Sequence, residues 1–264
     1  MFQILAQPIL NVLILFYKIF FSNLGLATIA LTALVRLLLI PLTNPQMKSA
    51  QKIQELGPEM EKIKTKFGKN KQKLMQAQME LYKKHGINPT AGCLPQILNF
   101  AILISMFQVF NQVMRAGASA AETLNRSLYS FAQLPPNSTF NFQFLFFDLS
   151  RPDLIQIPGF VALPGILAIL ATVFQFLSSK MMMPVVKVQE KGAKATETQS
   201  DDISTMMQKQ MLYFFPLMTL ILAYTMPSGV MLYWLIFSLF TLLQQWLVNR
   251  YVNKGKMITE TSHE

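Results

Sequence analysis

The stretch that decides the fold runs from Leu24 to Leu42, LGLATIALTALVRLLLIPL, and Arg36 is its only charged residue. An arginine at bilayer depth costs roughly 2.5–3.5 kcal/mol on insertion scales, so it normally faces water or protein. Arg36 lies eight residues before Asn44, and this spacing is about 12 Å along a helix. Snorkelling to the interface is strained at that depth. We predict a functional charge that faces a wet interior, with a snorkelling anchor as the alternative.

Composition indicates an integral membrane protein. The chain has 264 residues, 52% of them hydrophobic and 14% charged, and its apolar residues are gathered into long blocks. Helices of about 20 residues cross a hydrocarbon layer of about 30 Å. We predict an all-α membrane protein with a five-helix transmembrane core, its spans at residues 24–44, 91–114, 160–183, 210–226 and 228–249.

Residues 1–23 are apolar too, but Gln3, Gln7, Asn11 and Lys18 fall close to one helical face. This pattern predicts an amphipathic helix that lies in the external membrane interface. A signal peptide is the alternative. It fits poorly, because no basic segment precedes the apolar run and no small-residue cleavage site follows it.

The segment 45–90 is predicted to form a cytoplasmic helical hairpin. Apolar residues from Ile53 to Phe67 recur at alternating steps of three and four, a coiled-coil seam, and Leu74 to Tyr82 supplies the returning face. Gly57-Pro58 should interrupt the first arm. The hairpin lysines are interpreted either as a solvated face or as a docking surface for ribosomal RNA or anionic lipid; we name as recruitment residues Lys62, Lys64, Lys66, Lys69, Lys71 and Lys73.

Basic residues predict the topology. Residues 45–90 hold ten lysines, residues 180–209 hold five, and the end from Arg250 holds three basic residues, so 18 of the 23 Lys and Arg fall on one side of the membrane. The positive-inside rule makes that side the cytoplasm. We expect an external N-terminus, an external loop at 115–159, a cytoplasmic loop at 184–209 and a short cytoplasmic tail at 250–264.

Residues suited to bond-making chemistry are scarce. Cys93 is the only cysteine, and His85 and His263 are the only histidines, too few for a disulfide framework or a cluster of His and Cys metal ligands. The sequence has no phosphate-binding glycine loop and no plausible Ser/His/Asp set. We predict no enzymatic activity and no cofactor.

Polar residues recur at helical spacing inside the predicted spans. Thr28, Thr32 and Arg36 follow every fourth position, and the third and fifth spans carry similar stripes. A single stripe is typical of ordinary hydrogen bonding between helices. Several stripes turned inward together with an arginine predict a hydrated cavity that attracts acidic groups.

Five motifs, in order along about residues 1–250, resemble the YidC-type membrane protein insertases of bacteria, mitochondria and chloroplasts. They are LTALVRLLLIPLT from Leu31, the Lys-rich hairpin ending in Leu81-Tyr-Lys, INPTAGCLP from Ile87, FFDLSRPD from Phe146 and PSGVMLYW from Pro227. The resemblance implies five spans around a groove that is open to the cytoplasm and to lipid. It implies groove roles for Arg36, Thr32 and Trp234, with Gln175 as a polar position of the third span; Thr28 and Tyr233 complete our candidate set.

The chain departs from some members of that family. We expect it to lack the extra N-terminal span and large periplasmic domain of Gram-negative members and the lipobox cysteine of many Gram-positive ones. Its tail after Arg250 is short, which weakens the case for ribosome anchoring through the tail.

The predicted function is that of an insertase and chaperone for nascent membrane proteins, working without nucleotide hydrolysis in the inner (plasma) membrane. Expected partners are the nascent chains, the ribosome through cytoplasmic loops, the Sec translocon and the lipid bilayer. A small-solute channel or secondary transporter is the alternative. Its signature would be an internal repeat or paired broken helices, and the sequence contains neither.

Overall fold

The structure, a computed structural model, describes residues 2–67, 70–87, 93–117, 120–159, 161–182 and 212–261. It is mostly helical with few strands, which confirms the helical character of the predicted fold. In chain order the helices are α1 (Phe2–Ile19), α2 (Leu24–Glu55), α3 (Gly57–Phe67), α4 (Lys71–Lys84), α5 (Cys93–Ala116), α6 (Ala120–Leu124), α7 (Ile166–Met182), α8 (Leu212–Leu222) and α9 (Ser228–Thr261), with a 3-10 turn at Ser130–Ala132.

Four two-residue strands, which the sequence patterns did not predict, lie between α6 and α7. Strand β1 (Gln143–Phe144) pairs antiparallel with β2 (Phe147–Asp148), and β3 (Leu154–Ile155) pairs antiparallel with β4 (Leu163–Pro164). Because β4 occupies residues 163–164, α7 begins at Ile166, six residues later than the predicted third span.

Three helices are long and apolar enough to cross a membrane within the described ranges: Leu24–Ile53, Ile97–Ala116 and Ser228–Arg250. The apolar helices Ile166–Met181 and Leu212–Leu222, which lie in the third and fourth predicted spans, are shorter. The five-span core therefore stays a prediction. Helix α2 also continues through Pro41 and Pro45 to Glu55, well past the expected end of the first span at residue 44.

The chain divides into two compact units. The first comprises Met1–Leu39, Gln96–Phe174 and Leu217–Phe240. It holds the larger apolar core, built mainly from α1, the first half of α2, α5, the start of α7 and the start of α9; its most deeply buried large side chains include Leu13, Ile14, Phe110, Leu149 and Met231.

The polar face of α1 lies against the chain that follows α6, a placement that the amphipathic pattern did not predict. Asn11 is fully buried; its Nδ2 donates to the Ser127 carbonyl at 3.1 Å, and its Oδ1 accepts from the Tyr129 amide at 2.6 Å. Lys18 Nζ donates to the carbonyl of Gln133 at 2.7 Å. Polar side chains of α1 that we expected at the membrane interface therefore form hydrogen bonds with backbone groups of the first unit.

The FFDLSRPD motif ties together the starts of α7 and α9. Asp153 Oδ2 accepts the Leu167 amide at 3.0 Å in the first turn of α7, and the Asp153 carbonyl accepts the Gly165 amide at 2.7 Å. Ser228, the first residue of α9, donates its amide to the Arg151 carbonyl and its hydroxyl to the Asp148 carbonyl, both at 2.7 Å. The motif thus satisfies backbone donors that a helix leaves unpaired in its first turn.

The second unit comprises Ile40–Pro95, Gln175–Pro216 and Thr241–Glu264. Helices α3 and α4 pack on each other through a small apolar cluster made of Leu56, Met60, Leu81 and Ile87, with Ile53, Ile63 and Tyr82 beside it. Helix α2 ends at Glu55 and α3 begins at Gly57, so the break falls at Leu56, directly before the Gly57-Pro58 pair that predicted an interruption. Gly68 and Lys69 of the predicted turn lie outside the described residues.

Polar side chains join α2 to α9 within this second unit. Gln244 Nε2 donates to Thr43 Oγ1 and to Asn44 Oδ1, both at 2.8 Å, and Gln51 donates to Asn249 Oδ1. Gln245 is buried as well, although its Oε1 has no hydrogen-bond partner among the described residues. Amide side chains thus connect the two helices beyond the apolar stretch of α2.

Candidate functional site

The polar stripe of α2 faces the interior of the first unit. Thr28, Thr32 and Arg36 are all buried, as their four-residue spacing predicts. Thr28 donates its hydroxyl to the Leu24 carbonyl at 2.8 Å, and Thr32 donates to the Thr28 carbonyl at 2.7 Å. Both hydroxyl protons are therefore satisfied within their own helix, a common arrangement for threonine in membrane helices, and only their lone pairs remain for another group.

Arg36 is held by one residue of α9. Its Nη2 donates to the Phe237 carbonyl at 2.9 Å, and its guanidinium carbon lies 3.8 Å from the centroid of the Phe237 ring. The side chain is only 4% exposed. The flat guanidinium is suited to stacking on an aromatic face while one of its N–H groups bonds elsewhere.

Part of the binding capacity of Arg36 is unused. Its Nε is buried without a hydrogen-bond partner among the described residues. The ion pairs found in the described part of the chain are His85 with Glu59 and Arg151 with Asp148, so neither includes Arg36. A buried cation with an open donor and no carboxylate partner favours an incoming anion.

Two further candidate residues lie on α9 near this contact. Tyr233 and Trp234 are buried in the first unit, and the Tyr233 ring lies 5.9 Å from the Phe237 ring at an interplanar angle of 40°. Tyr233 is one helical turn before Phe237. The structure thus brings Arg36 together with an aromatic face of α9.

Gln175 lies on α7 and belongs to the second unit, where it is half-buried. Arg36, in contrast, belongs to the first unit. Its role as a groove residue rests on the resemblance alone.

The recruitment lysines that can be described are exposed: Lys62 and Lys66 on α3, and Lys73 on α4. Lys64 and Lys71 belong to the same helices, but their side chains are not described, and Lys69 lies outside the described residues. Exposure suits both interpretations of this face, solvation and docking.

Phe237 is the site residue that sequence reasoning missed. It lies in an apolar block among other aromatic residues, so its type carries no signal. Its position carries a weak one, because it follows Tyr233 by four residues and shares a helical face with it. No group of three or more His, Cys, Asp or Glu side chains in the described ranges could hold a metal ion.

The family model of the 60Kd inner membrane protein matches residues 15–256, a range that includes Arg36, Phe237 and all the other candidate residues. The chain belongs to the YidC family of membrane protein insertases. It is a membrane protein of a family whose members insert other proteins, a function that is not enzymatic.

Three relatives within the YidC family match this chain over most of their own length. The chain is 33% identical over 227 residues to the membrane protein insertase YidC of Fusobacterium nucleatum, which covers 86% of each protein. It is 31% identical over 247 residues to YidC 1 of Halalkalibacterium halodurans, which covers 92% of this chain and 76% of the relative. The same identity and length hold for MisCA of Bacillus subtilis, with 77% of that relative covered.

Proposed function

We propose that this YidC-family chain is an insertase and chaperone that passes nascent membrane proteins into the cell membrane through a polar intramembrane groove, without nucleotide hydrolysis. The observation that carries the proposal is Arg36, a buried cation in the longest apolar helix that contacts no carboxylate among the described residues. A charge in such a place is costly, and the apolar packing of α2 does not require it.

The substrate is an extended hydrophilic terminus joined to an apolar segment. Arg36 attracts acidic groups of the terminus, and the hydroxyl lone pairs of Thr28 and Thr32 accept hydrogen bonds from its backbone. Trp234 and Tyr233 supply the aromatic wall. Gln175 is included because of the family resemblance.

Phe237 keeps Arg36 in place between substrates. A desolvated cation–π contact is worth about 2 kcal/mol, whereas a hydrogen bond to a charged group is worth about 1.5–3 kcal/mol and a carboxylate can accept two in parallel. An acidic substrate group can therefore replace the ring as the partner of Arg36. The ring and the acidic group stabilise Arg36 by similar free energies, so the acidic group is also released.

Release of the apolar segment into lipid drives the reaction. Fully burying one large aliphatic side chain is worth about 1.5–3 kcal/mol, so a segment of about 20 residues gains far more than a few polar groups cost in crossing. No nucleotide hydrolysis is needed for that balance.

The proposed arrangement has five spans, an external N-terminus and a cytoplasmic C-terminus. The basic segments support it, because the positive-inside rule predicts that α3, α4 and the end of α9 lie on the cytoplasmic side. Exposed Lys62, Lys66 and Lys73 then face the ribosome, and nascent chains arrive from there or from the Sec translocon.

Reconstitution of the purified chain tests the function. Vesicles containing it, with nucleotide removed by apyrase after translation, should protect the external tail of a small membrane protein from protease, and protein-free vesicles should not. Failure to protect the tail would contradict insertase function. Leakage of small solutes from the same vesicles without any nascent chain would favour a channel instead.

A further inference from the structure

Two tight turns of the first unit end in large apolar side chains that contact little of the protein. Phe21, in the turn between α1 and α2, is 95% exposed. Leu145 and Phe146, in the turn between β1 and β2, are 77% and 73% exposed. We call these three residues the apolar tips.

The local sequence is unusual for such turns. Phe21 and Leu145 have φ angles of +52° and +55°, a left-handed conformation that glycine, asparagine and aspartate adopt more easily than large side chains do. Two-residue hairpin turns are dominated by those same residues. The turn between β1 and β2 instead has Leu145-Phe146, so turn geometry does not explain why these large apolar residues are present.

The two turns that carry the apolar tips lie at the N-terminal end of α2. Phe21 is three residues before Leu24, where the first candidate membrane span begins, and three residues cover at most about 11 Å of chain. The hairpin packs on the first turn of that helix, since a Cβ built on Gly25 would lie 2.1 Å from the Phe144 ring. The tips therefore lie next to the N-terminal end of the candidate membrane span in α2.

Charged side chains are absent from both sequences around the tips. Residues 19–35 and 140–147 contain no Asp, Glu, Lys or Arg. The nearest charge after the hairpin turn, Asp148, accepts a hydrogen bond from the Ser150 hydroxyl at 2.6 Å and pairs with Arg151. An exposed, uncharged aromatic and aliphatic surface at this level suits the boundary between headgroups and acyl chains.

We propose that Phe21, Leu145 and Phe146 are inserted into the lipid leaflet at the N-terminal end of α2. Leu26, in the first turn of α2, is also apolar and exposed, and an uncharged apolar surface that extends onto a candidate membrane span favours lipid over a protein partner. The tips hold the β1–β2 hairpin and the start of α2 at one depth. The segment 115–159, which the sequence predicts as an external loop, thus has part of its chain within the membrane.

Fluorescence at single cysteines tests this proposal with the full chain. Cys93→Ser removes the only cysteine, and Phe21→Cys, Leu145→Cys or Phe146→Cys is labelled with NBD in vesicles of phosphatidylethanolamine and phosphatidylglycerol. Asn137→Cys is the matched control, because Asn137 is polar, exposed and also at positive φ in the same segment. Thermal unfolding of each labelled protein confirms that it is folded.

The proposal expects blue-shifted emission at the three tips and severalfold stronger quenching by lipids with a doxyl group near the headgroup than at residue 137. Iodide on both sides of the membrane should quench residue 137 more strongly. Water-like emission and equal iodide quenching at all four positions would overturn it. Shielding that appears only in native membranes, and not in the purified vesicles, would assign the tips to a protein partner and would also overturn it.

Discussion

The guanidinium carbon of Arg36 lies 3.8 Å from the centroid of the Phe237 ring, and Arg36 Nη2 donates a 2.9 Å hydrogen bond to the carbonyl of that same residue. One phenylalanine therefore supplies both the π face and the acceptor, and it ties α2 to α9 across 201 positions of sequence. The contact fixes where the buried charge of the first unit lies.

Replacing Phe237 with leucine should separate these two contacts, because the backbone carbonyl stays and the ring is lost. We expect a loss of about 1–2 kcal/mol in the free energy of unfolding, from the cation–π contact and the lost volume. We also expect stronger crosslinking of stalled chains with acidic tails, since the competing ring is gone.

Phe240→Leu is the matched control, since it makes the same change one turn later on α9. Crosslinking is measured from a photoreactive residue in the substrate tail, acidic or neutral. An unchanged ratio of acidic to neutral crosslinking in Phe237→Leu would show that the ring does not compete with substrate.

Asp153 should stabilise α7 through its carboxylate, which accepts the Leu167 amide at 3.0 Å. Asp153→Ala removes the acceptor and should lower the free energy of unfolding by about 1 kcal/mol, the usual loss for a helix cap. Asp153→Asn keeps an acceptor and should lose much less. Thermal unfolding in detergent measures both, and equal losses would assign the effect to charge instead of capping.

Gly229 at the start of α9 allows close packing against α5. A Cβ at this position would lie 2.1 Å from a carbon of the Phe110 ring, so Gly229→Ala should destabilise the protein by about 1–3 kcal/mol through overpacking. The loss should shrink when Phe110→Leu is combined with it, as coupled neighbours require. Gly57→Ala, where a Cβ meets nothing within 4 Å, is the control and should be close to neutral.

The exposed hairpin lysines should affect recruitment and not folding. Replacing Lys62, Lys66 and Lys73 with glutamine should slow insertion at low salt and leave the unfolding temperature unchanged, because all three are exposed and exposed charges contribute little to stability. The difference from wild type should fade as salt rises and screening lengths shorten. Equal insertion rates of the variant and the wild type at low salt would show that these lysines form only a solvated face.

The sequence predicts which residues share a helical face better than it predicts which residues that face contacts. The four-residue spacing of Thr28, Thr32 and Arg36 identified a buried stripe, because a helix fixes which of its own residues share a face. The same reasoning cannot tell which residue 201 positions away meets that stripe, and Phe237 resembles its apolar neighbours. Strands of two residues are too short to show alternation, so β1 to β4 had no readable pattern.

The polar face of α1 shows a second limit. Asn11 and Lys18 fit an amphipathic pattern, but a pattern does not distinguish water from backbone carbonyls as the partner of a polar side chain. Here Lys18 donates to the Gln133 carbonyl. Pro41 and Pro45 likewise did not indicate that α2 continues past them to Glu55 as one helix.

The most direct test of the central claim is insertion by Arg36 variants of substrates whose external tails differ only in charge. Protease protection is measured for tails carrying two acidic residues or none, with Arg36→Lys and Arg36→Ala proteins checked for expression and thermal stability. Arg36→Ala should abolish protection of the acidic tail and reduce that of the neutral tail much less, while Arg36→Lys should retain part of both, because it keeps the charge but not the planar stacking. Normal protection of the acidic tail by a well-folded Arg36→Ala protein would contradict the account and leave Arg36 with a structural role.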